Sequence, residues 1–212
     1  MIKEKKAVDV IIVSHNNRDI LGDCVSSILS QSYQNYKIFL LDNDSIDGTE
    51  EFIKKYPEVK FFSFEGKGPS EKRNLGINMS NSEYIVFMDS DARLTKNWIK
   101  KAVEYMEEHN NTGICTGKIL IDEKTIDSVG GIISRNCGAT DLGHGLENSK
   151  KFDKFKKVGY LKSASFIIRR KMIEEIGAFD ESYFFGYEDS DLGIRANITG
   201  WDVVYNPDLK SY

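Results

Sequence analysis

The chain has 212 residues, enough for one sizeable hydrophobic core, with two small domains as the lesser alternative. Its 29 basic and 33 acidic side chains leave a formal charge of -4 with both signs spread along the sequence, which gives no electrostatic case for a nucleic-acid partner. Three cysteines, Cys24, Cys115 and Cys137, share no CxxC spacing, no apolar run approaches the ~20 residues of a membrane span, and no signal peptide opens the chain, so a disulfide framework, a zinc site and a transmembrane segment are not expected and a reducing cytoplasm is the simplest setting.

Val8 to Val13 (VDVIIV) has no helical period, as in a strand buried on both faces of a parallel sheet, and ends in Ser14-His15-Asn16-Asn17. Ile20, Leu21, Cys24, Val25, Ile28 and Leu29 then recur at helical spacing and predict a helix with one apolar stripe. Tyr36 to Leu41 predicts the next strand, closing on Asp42-Asn43-Asp44-Ser45. A helix from Asp47-Gly48-Thr49 to Tyr56 stops at Pro57, and Val59 to Phe64 is a third strand. Gly66-Lys67-Gly68-Pro69 is a loop, and Pro69 suits the first turn of a helix running to Met79. Tyr84 to Met88 is a strand that runs into Asp89-Ser90-Asp91. Lys96 to His109 predicts a helix and Gly113 to Ile121 a strand. This alternation predicts an α/β fold, a mostly parallel sheet with right-handed crossovers, whose nucleotide-binding half spans about 8–121.

Beyond residue 122 the rhythm changes. Ser128 to Ser134 and Gly143-His144-Gly145 predict short irregular strands and loops, and 147–157 a polar, lysine-rich, mobile excursion. Val158 to Arg169 predicts a strand in which Ser163-Ala164-Ser165 allow close backbone approach. Met172 to Ile176 predicts a short helix ending at Gly177, and residues 179–201, FDESYFFGYEDSDLGIRANITGW, an amphipathic helix behind a run of aromatics and carboxylates. No linker separates the parts, so 1–212 reads as one domain with a smaller mixed second half, 122–212.

Ligands in open α/β sheets sit beyond the carboxyl ends of strands, where Asp89 and Asp91 fall, and a hard cation such as Mg2+ or Mn2+ takes one or two carboxylates together with substrate phosphates. A polar strand-ending turn uses the same residues. Asp42 stands where a carboxylate reads a base or ribose, or equally where a turn aspartate sits. Arg73 suits a phosphate or a strand-end aspartate. Glu188-Asp189-Ser190-Asp191 sets three carboxylates beside the YFFGY rings. Partial desolvation there makes a better general base, while an acidic helix N-terminus over core aromatics explains the same letters. His15, His109 and His144 have no metal-ligand spacing. Lys3 to Lys6 reads as a solvated tail, and Lys150 to Lys157 as a solvated loop or as a contact with an anionic acceptor or membrane surface.

Taken in order, a strand ending SHN, a strand ending DNDSIDGT, a KRNLG helix, a strand ending DSD and the FDESYFFGYEDSDLGIRANITGW run closely resemble the inverting family 2 glycosyltransferases of the GT-A fold, from about Val8 to Pro207. IDSVGGIIS, DLGHG and SASFIIRR resemble the rhamnosyltransferase-like branch of that family. The resemblance implies that Ser14 and Asn16 line the nucleotide pocket, that Asp42 recognises the base, and that Arg73 and Asn74 bind the donor diphosphate or ribose. Asp89 and Asp91 match the DxD motif, with Asp91 the direct ligand of Mn2+ or Mg2+ and Asp89 nearer the ribose. Glu188 and Asp189 match the ED motif, whose aspartate is the catalytic base. Asp191, Arg195 and Trp201 fit the later signature on the acceptor side.

The resemblance also implies a UDP- or dTDP-sugar donor, a glycan or lipid-linked acceptor in polysaccharide biosynthesis, and a cytoplasmic location that can include the inner face of the membrane. Family members continue past the position of Tyr212 with a metal-assisting histidine and acceptor-binding helices, so a truncated chain and a compact member both fit. A catalytically silent nucleotide-sugar binding module of a larger assembly is the alternative. A sugar nucleotidyltransferase would need a glycine-rich loop where SHNNRD stands.

Overall fold

The computed structural model describes residues 6–66, 68–134, 138–183 and 186–212. Lys67 of the predicted loop, Cys137, the pair Phe184-Phe185 and Lys3 to Lys5 of the basic tail lie outside them. The first half alternates β1 (Val8–Ser14), α1 (Arg18–Leu29), β2 (Tyr36–Asp42), α2 (Thr49–Ile53), β3 (Val59–Ser63), α3 (Pro69–Met79), β4 (Tyr84–Asp89), α4 (Trp98–Glu108) and β5 (Thr112–Leu120). Short strands follow: β6 (Ile126–Ser128), β7 (Gly131–Ile133), β8 (Ala139–Asp141) and β9 (Lys156–Lys157). Then come β10 (Ser165–Arg169), α5 (Arg170–Ile176), α6 (Glu188–Ile198) and β11 (Asp202–Ser211).

Successive strand residues point to opposite faces, and the core divides accordingly. Val8, Val10 and Ile12 of β1 face one layer with Leu21, Cys24, Val25 and Ile28 of α1 and with Trp98, Ile99 and Ala102 of α4. Ile11 faces the other, with Ile77 of α3, Met172 of α5 and Leu192 of α6. Cys24 and Cys115 are buried free thiols. No helix among the described residues is long and apolar enough to cross a membrane.

Among the described residues the main sheet runs β3-β2-β1-β4-β10-β5-β11-β9, with β6 beside β5. It is parallel from β3 to β4 and between β5 and β11. The α/β class and the parallel pairing of the first strands, β3 to β4, are as expected. The whole sheet is mixed, because β10 enters antiparallel between β4 and β5.

Three segments differ from the sequence pattern. Of Val158 to Arg169 only Ser165–Arg169 forms β10. Ahead of it the backbone bonds turn elsewhere, Val158 N–H to Val203, Gly159 N–H to Gly131 and Ser163 N–H to the Asp189 side chain. The expected mobile excursion at 147–157 is tied down. The Lys118 ammonium, 1% exposed, donates to Asp153 at 2.6 Å and Asn148 at 3.0 Å, and Lys156–Lys157 pairs with β11. Finally, Asn206-Pro207-Asp208, to which the sequence pattern assigns no element, carries turn formers and a residue without an N–H and yet lies inside β11. The fold absorbs Pro207 in a register shift of β11 between Tyr205 and Lys210.

Candidate active site

In the parallel half β2 lies on one side of β1 and β4 on the other, so the chain's winding reverses at β1 and opens a crevice at the strand ends. Register sets what meets there. Ser14 is level with Asp42, and Val13 with Asp89. The turn after β4 is fixed to its neighbours, since Ser90 N–H donates to Val13 and the Asn17 amide donates to Ser90 Oγ at 2.8 Å.

On one flank of the crevice, Asp42 is buried and closes a turn. Its Oδ2 accepts from Ser45 N–H at 2.8 Å and its Oδ1 from Ser45 Oγ at 2.6 Å. Asn16, in the left-handed region at φ 51°, joins the β1 and β2 loops by donating its N–H to Ser45 Oγ and accepting from Ile46 N–H. Ser14 Oγ is buried beside them without a hydrogen-bond partner.

The other flank is a cavity of about 410 Å³ whose charged lining is Arg73, Asp89, Asp91, Lys162, Glu188 and Asp189. A larger open cleft of about 840 Å³ lies elsewhere, beside Asp23, Arg93 and Tyr212, and contains none of these six. Arg73, delivered by α3, is 3% exposed and donates to Glu188 Oε1 at 2.8 Å and to Asp89 Oδ1 at 3.0 Å. Its guanidinium also lies 5.5 Å from the Phe179 ring centre. One arginine therefore joins the DSD strand end to the EDSD helix.

Helix α6 begins at Glu188, so its first turn places Glu188, Asp189 and Asp191 where the helix dipole favours negative charge. Gly186 and Tyr187 ahead of it both have positive φ, at 82° and 70°. For an exposed tyrosine that backbone is strained. The Asp189 carboxylate is oriented by two backbone donors, Ser163 N–H to Oδ2 and Ser190 N–H to Oδ1, both at 2.7 Å. Burial pushes its carboxyl above the usual range, against the Ser163 N–H, which favours the charged form. Glu188 Oε2 and Ser163 Oγ are buried with no hydrogen-bond partner, which leaves polar atoms free for a ligand.

Asp91 stands at the cavity mouth, exposed on its outer side. Burial by the protein behind it, and then the Asp89 charge, push its carboxyl up. Among the described residues no group of three or more His, Cys, Asp or Glu is assembled to hold a cation. The donor set still fits a hard divalent ion. Four carboxylates face two side-chain cations in the lining, and one or two carboxylates suffice when substrate phosphates supply further oxygens.

The fold thus brings together Arg73, Asp89, Asp91, Glu188 and Asp189, with Ser14, Asn16 and Asp42 on the adjoining flank. It does not bring the others to the cavity. Asn74 is used by Phe179, whose N–H and carbonyl it bonds, and by Glu181. Arg195 binds Asp191 and the carbonyls of Ile176, Gly177 and Ala178. Trp201 donates to Glu175 and packs near Gly113, where β5 starts, at the other end of the sheet. Sequence reasoning missed Asn17, Lys162 and the Ser163 N–H. The small residues Ser163-Ala164-Ser165 are the one signal that pointed to close approach there.

Comparison with known proteins follows the same outline. Residues 9–177 match the model of the family described as glycosyl transferase family 2. The chain is 30% identical to the teichuronic acid biosynthesis glycosyltransferase TuaG of Bacillus subtilis over 126 residues, 57% of this chain and 50% of that protein. It is 24% identical to the glycosyltransferase AglE of Haloferax volcanii over 213 residues, 95% of this chain and 65% of that protein. It thus spans half of TuaG and under two thirds of AglE. Among solved structures, GalNAc-T7 with UDP, GalNAc and Mn2+ superposes with a TM-score of 0.80 at 18% identity, over 99% of this chain and 44% of the other. S. aureus TarS 1–349 with UDP gives 0.71 at 20% identity, over 96% and 60%. The fold is the GT-A glycosyltransferase fold. None of these matches reaches the rhamnosyltransferase-like branch.

Proposed function

Since this chain belongs to glycosyl transferase family 2, we propose that it moves a sugar from a nucleotide-diphosphate donor, a UDP- or dTDP-sugar, to a hydroxyl of a glycan or lipid-linked acceptor, with inversion at the anomeric carbon. One observation carries the reading. Two carboxylate pairs about a hundred residues apart in sequence line one cavity at the strand ends, one pair at its mouth and the other oriented inside.

The nucleotide lies along the crevice, its base beside Ser14, Asn16 and Asp42 and its diphosphate toward Asp89 and Asp91. Asp91, with Asp89 beside it, would hold a divalent cation, Mn2+ or Mg2+, whose positive charge would offset that of the leaving diphosphate. Asp189 is the base. Held by two N–H donors, its carboxylate takes the proton of the acceptor hydroxyl as that oxygen bonds to the anomeric carbon. The bond from that carbon to the diphosphate oxygen breaks, and its electron pair leaves with the nucleotide. Arg73 holds Asp89 and Glu188 at a fixed separation, so the donor and base sides keep register.

The test is Asp189→Asn. Sugar transfer is lost by several orders of magnitude while UDP binding, measured by calorimetry, stays within about threefold. Retained turnover removes the assignment. A silent nucleotide-sugar module is the second reading, favoured by the engagement of both Asp89 and Glu188 with Arg73. It predicts binding without transfer in the unaltered chain.

A further inference from the structure

A groove of about 370 Å³ in the second half of the chain shares no residue with the catalytic cavity. Its floor is apolar, built from Val129, Leu142, Leu146 and Phe152, and Lys151, Lys154 and Lys156 stand around it. The floor is pinned in place. Val129 N–H donates to the Leu142 carbonyl, and the Tyr205 hydroxyl donates to the Phe152 carbonyl at 2.7 Å. It is also open to water, since Leu146 is 47% exposed. Residues 142–157 hold five lysines against two carboxylates, in a chain whose net charge is -4. Of these charges, Asp153 is bound to buried Lys118, and Lys157 to Asp202 at 2.5 Å. Lys150, Lys151, Lys154 and Lys156 are exposed, and none has a carboxylate partner among the described residues. Lys151 lies instead over the Phe152 ring of the floor, 4.7 Å from its centre. Glu147 is the one other carboxylate of the stretch.

We propose that this groove docks the protein on a bilayer of anionic phospholipid, the lysines meeting lipid phosphates and the floor meeting the upper acyl region. Unpaired cations repel one another and attract an anionic surface. Lysine stems lie along apolar surface while their ammonium groups stay in the polar layer, which matches the boundary between headgroups and hydrocarbon. A soluble phosphate answers the lysines and leaves the floor wet. An apolar peptide answers the floor and leaves the cations without counter-charge. The groove also adjoins the catalytic side through one short segment. Asp127 of β6 bonds Lys162 of the catalytic cavity at 2.9 Å, and Val129, two residues on, lines the groove. A bilayer seated on the groove is therefore held beside the side of the cavity from which a lipid-linked acceptor enters.

The experiment is co-sedimentation with vesicles of phosphatidylcholine alone and of phosphatidylcholine with one third phosphatidylglycerol. The unaltered chain binds the anionic vesicles and not the neutral ones. Each lysine near such a surface contributes about fivefold, so the triple variant Lys151→Gln, Lys154→Gln, Lys156→Gln binds about 100-fold more weakly. Leu146→Ser weakens binding by about fivefold, because half of a leucine side chain no longer leaves water. The control triple Lys54→Gln, Lys100→Gln, Lys171→Gln removes the same charge from exposed lysines elsewhere and binds as the unaltered chain does. All these positions are exposed, so the variants fold. Absence of binding to anionic vesicles, or equal binding to both kinds, overturns the proposal. So does a control triple as impaired as the groove triple, which would reduce the effect to net charge. Displacement by soluble glycerol 3-phosphate overturns it too, by making the groove a site for a free phosphate. The vesicle assay needs no nucleotide, so its failure leaves the donor-site reading standing, and failure of that reading leaves this surface in place.

Discussion

Replacing Arg73 by methionine removes the cation that joins the two carboxylate clusters while keeping an unbranched apolar stem against Phe179. The cost falls mainly on Glu188. Asp89 is 35% exposed and can regain water, whereas Glu188 is 7% exposed at its side chain and its Oε2 already lacks a partner. Removing one partner of a buried pair strands the other charge and costs about 3–5 kcal/mol. For a chain of this size that corresponds to a fall in Tm of about 6–20 °C. Urea unfolding followed by circular dichroism measures the first quantity and a thermal melt the second. Adding Glu188→Gln to Arg73→Met recovers part of the loss, because no unpaired charge then stays buried. A loss within the ~0–1 kcal/mol of a solvent-exposed pair, or a double variant no more stable than the single one, refutes the reasoning.

Gly117 of β5 faces β11 so closely that a Cβ there would lie 2.2 Å from the Leu209 carbonyl oxygen and 2.7 Å from Leu209 Cβ. Gly117→Ala therefore destabilises the chain by about 1–3 kcal/mol or more in urea unfolding, with faster hydrogen exchange in 202–211, and a neutral result contradicts that packing. The raised Asp189 carboxyl predicts that the acid limb of the kcat/KM profile lies above the ordinary aspartate value of about 3.9, since the base works ionised and activity falls as pH drops through the raised value. Over the same window, between the unfolded and folded values, the native state takes up the proton first, so Asp189's contribution to stability increases as pH falls. Asp189→Asn removes that component from the difference in pH–stability curves, and identical slopes for the two chains count against it.

The parallel half was legible because each strand there is an uninterrupted apolar run that stops at a polar turn, as β1 stops at Ser14 and β4 at Asp89. Strand direction was not. A strand buried on both faces reads the same whichever way it runs, so the antiparallel insertion of β10 left no trace in its letters. Strand β11 was hidden by Pro207, whose cost the register shift absorbs. In the site, the carboxylates were legible as residue types at strand and helix ends. Their partners were not, because the Arg73–Glu188 bond spans 115 residues and the Ser163 N–H that orients Asp189 is a backbone group. Asn74 and Arg195 show the reverse limit. Both carry the family pattern, yet in this fold they are occupied in fixing residues 176–181, ahead of the aromatic run.

The proposed function requires the two flanks of the crevice to form one metal-assisted donor site. Calorimetric titration of UDP, dTDP, GDP and CDP, each with and without Mn2+, tests it most directly, repeated on Asp91→Ala. A donor site of this kind gives saturable binding of UDP or dTDP that strengthens with Mn2+ and loses that metal dependence in Asp91→Ala. Absence of binding by every nucleotide, or binding that neither Mn2+ nor Asp91→Ala alters, contradicts it.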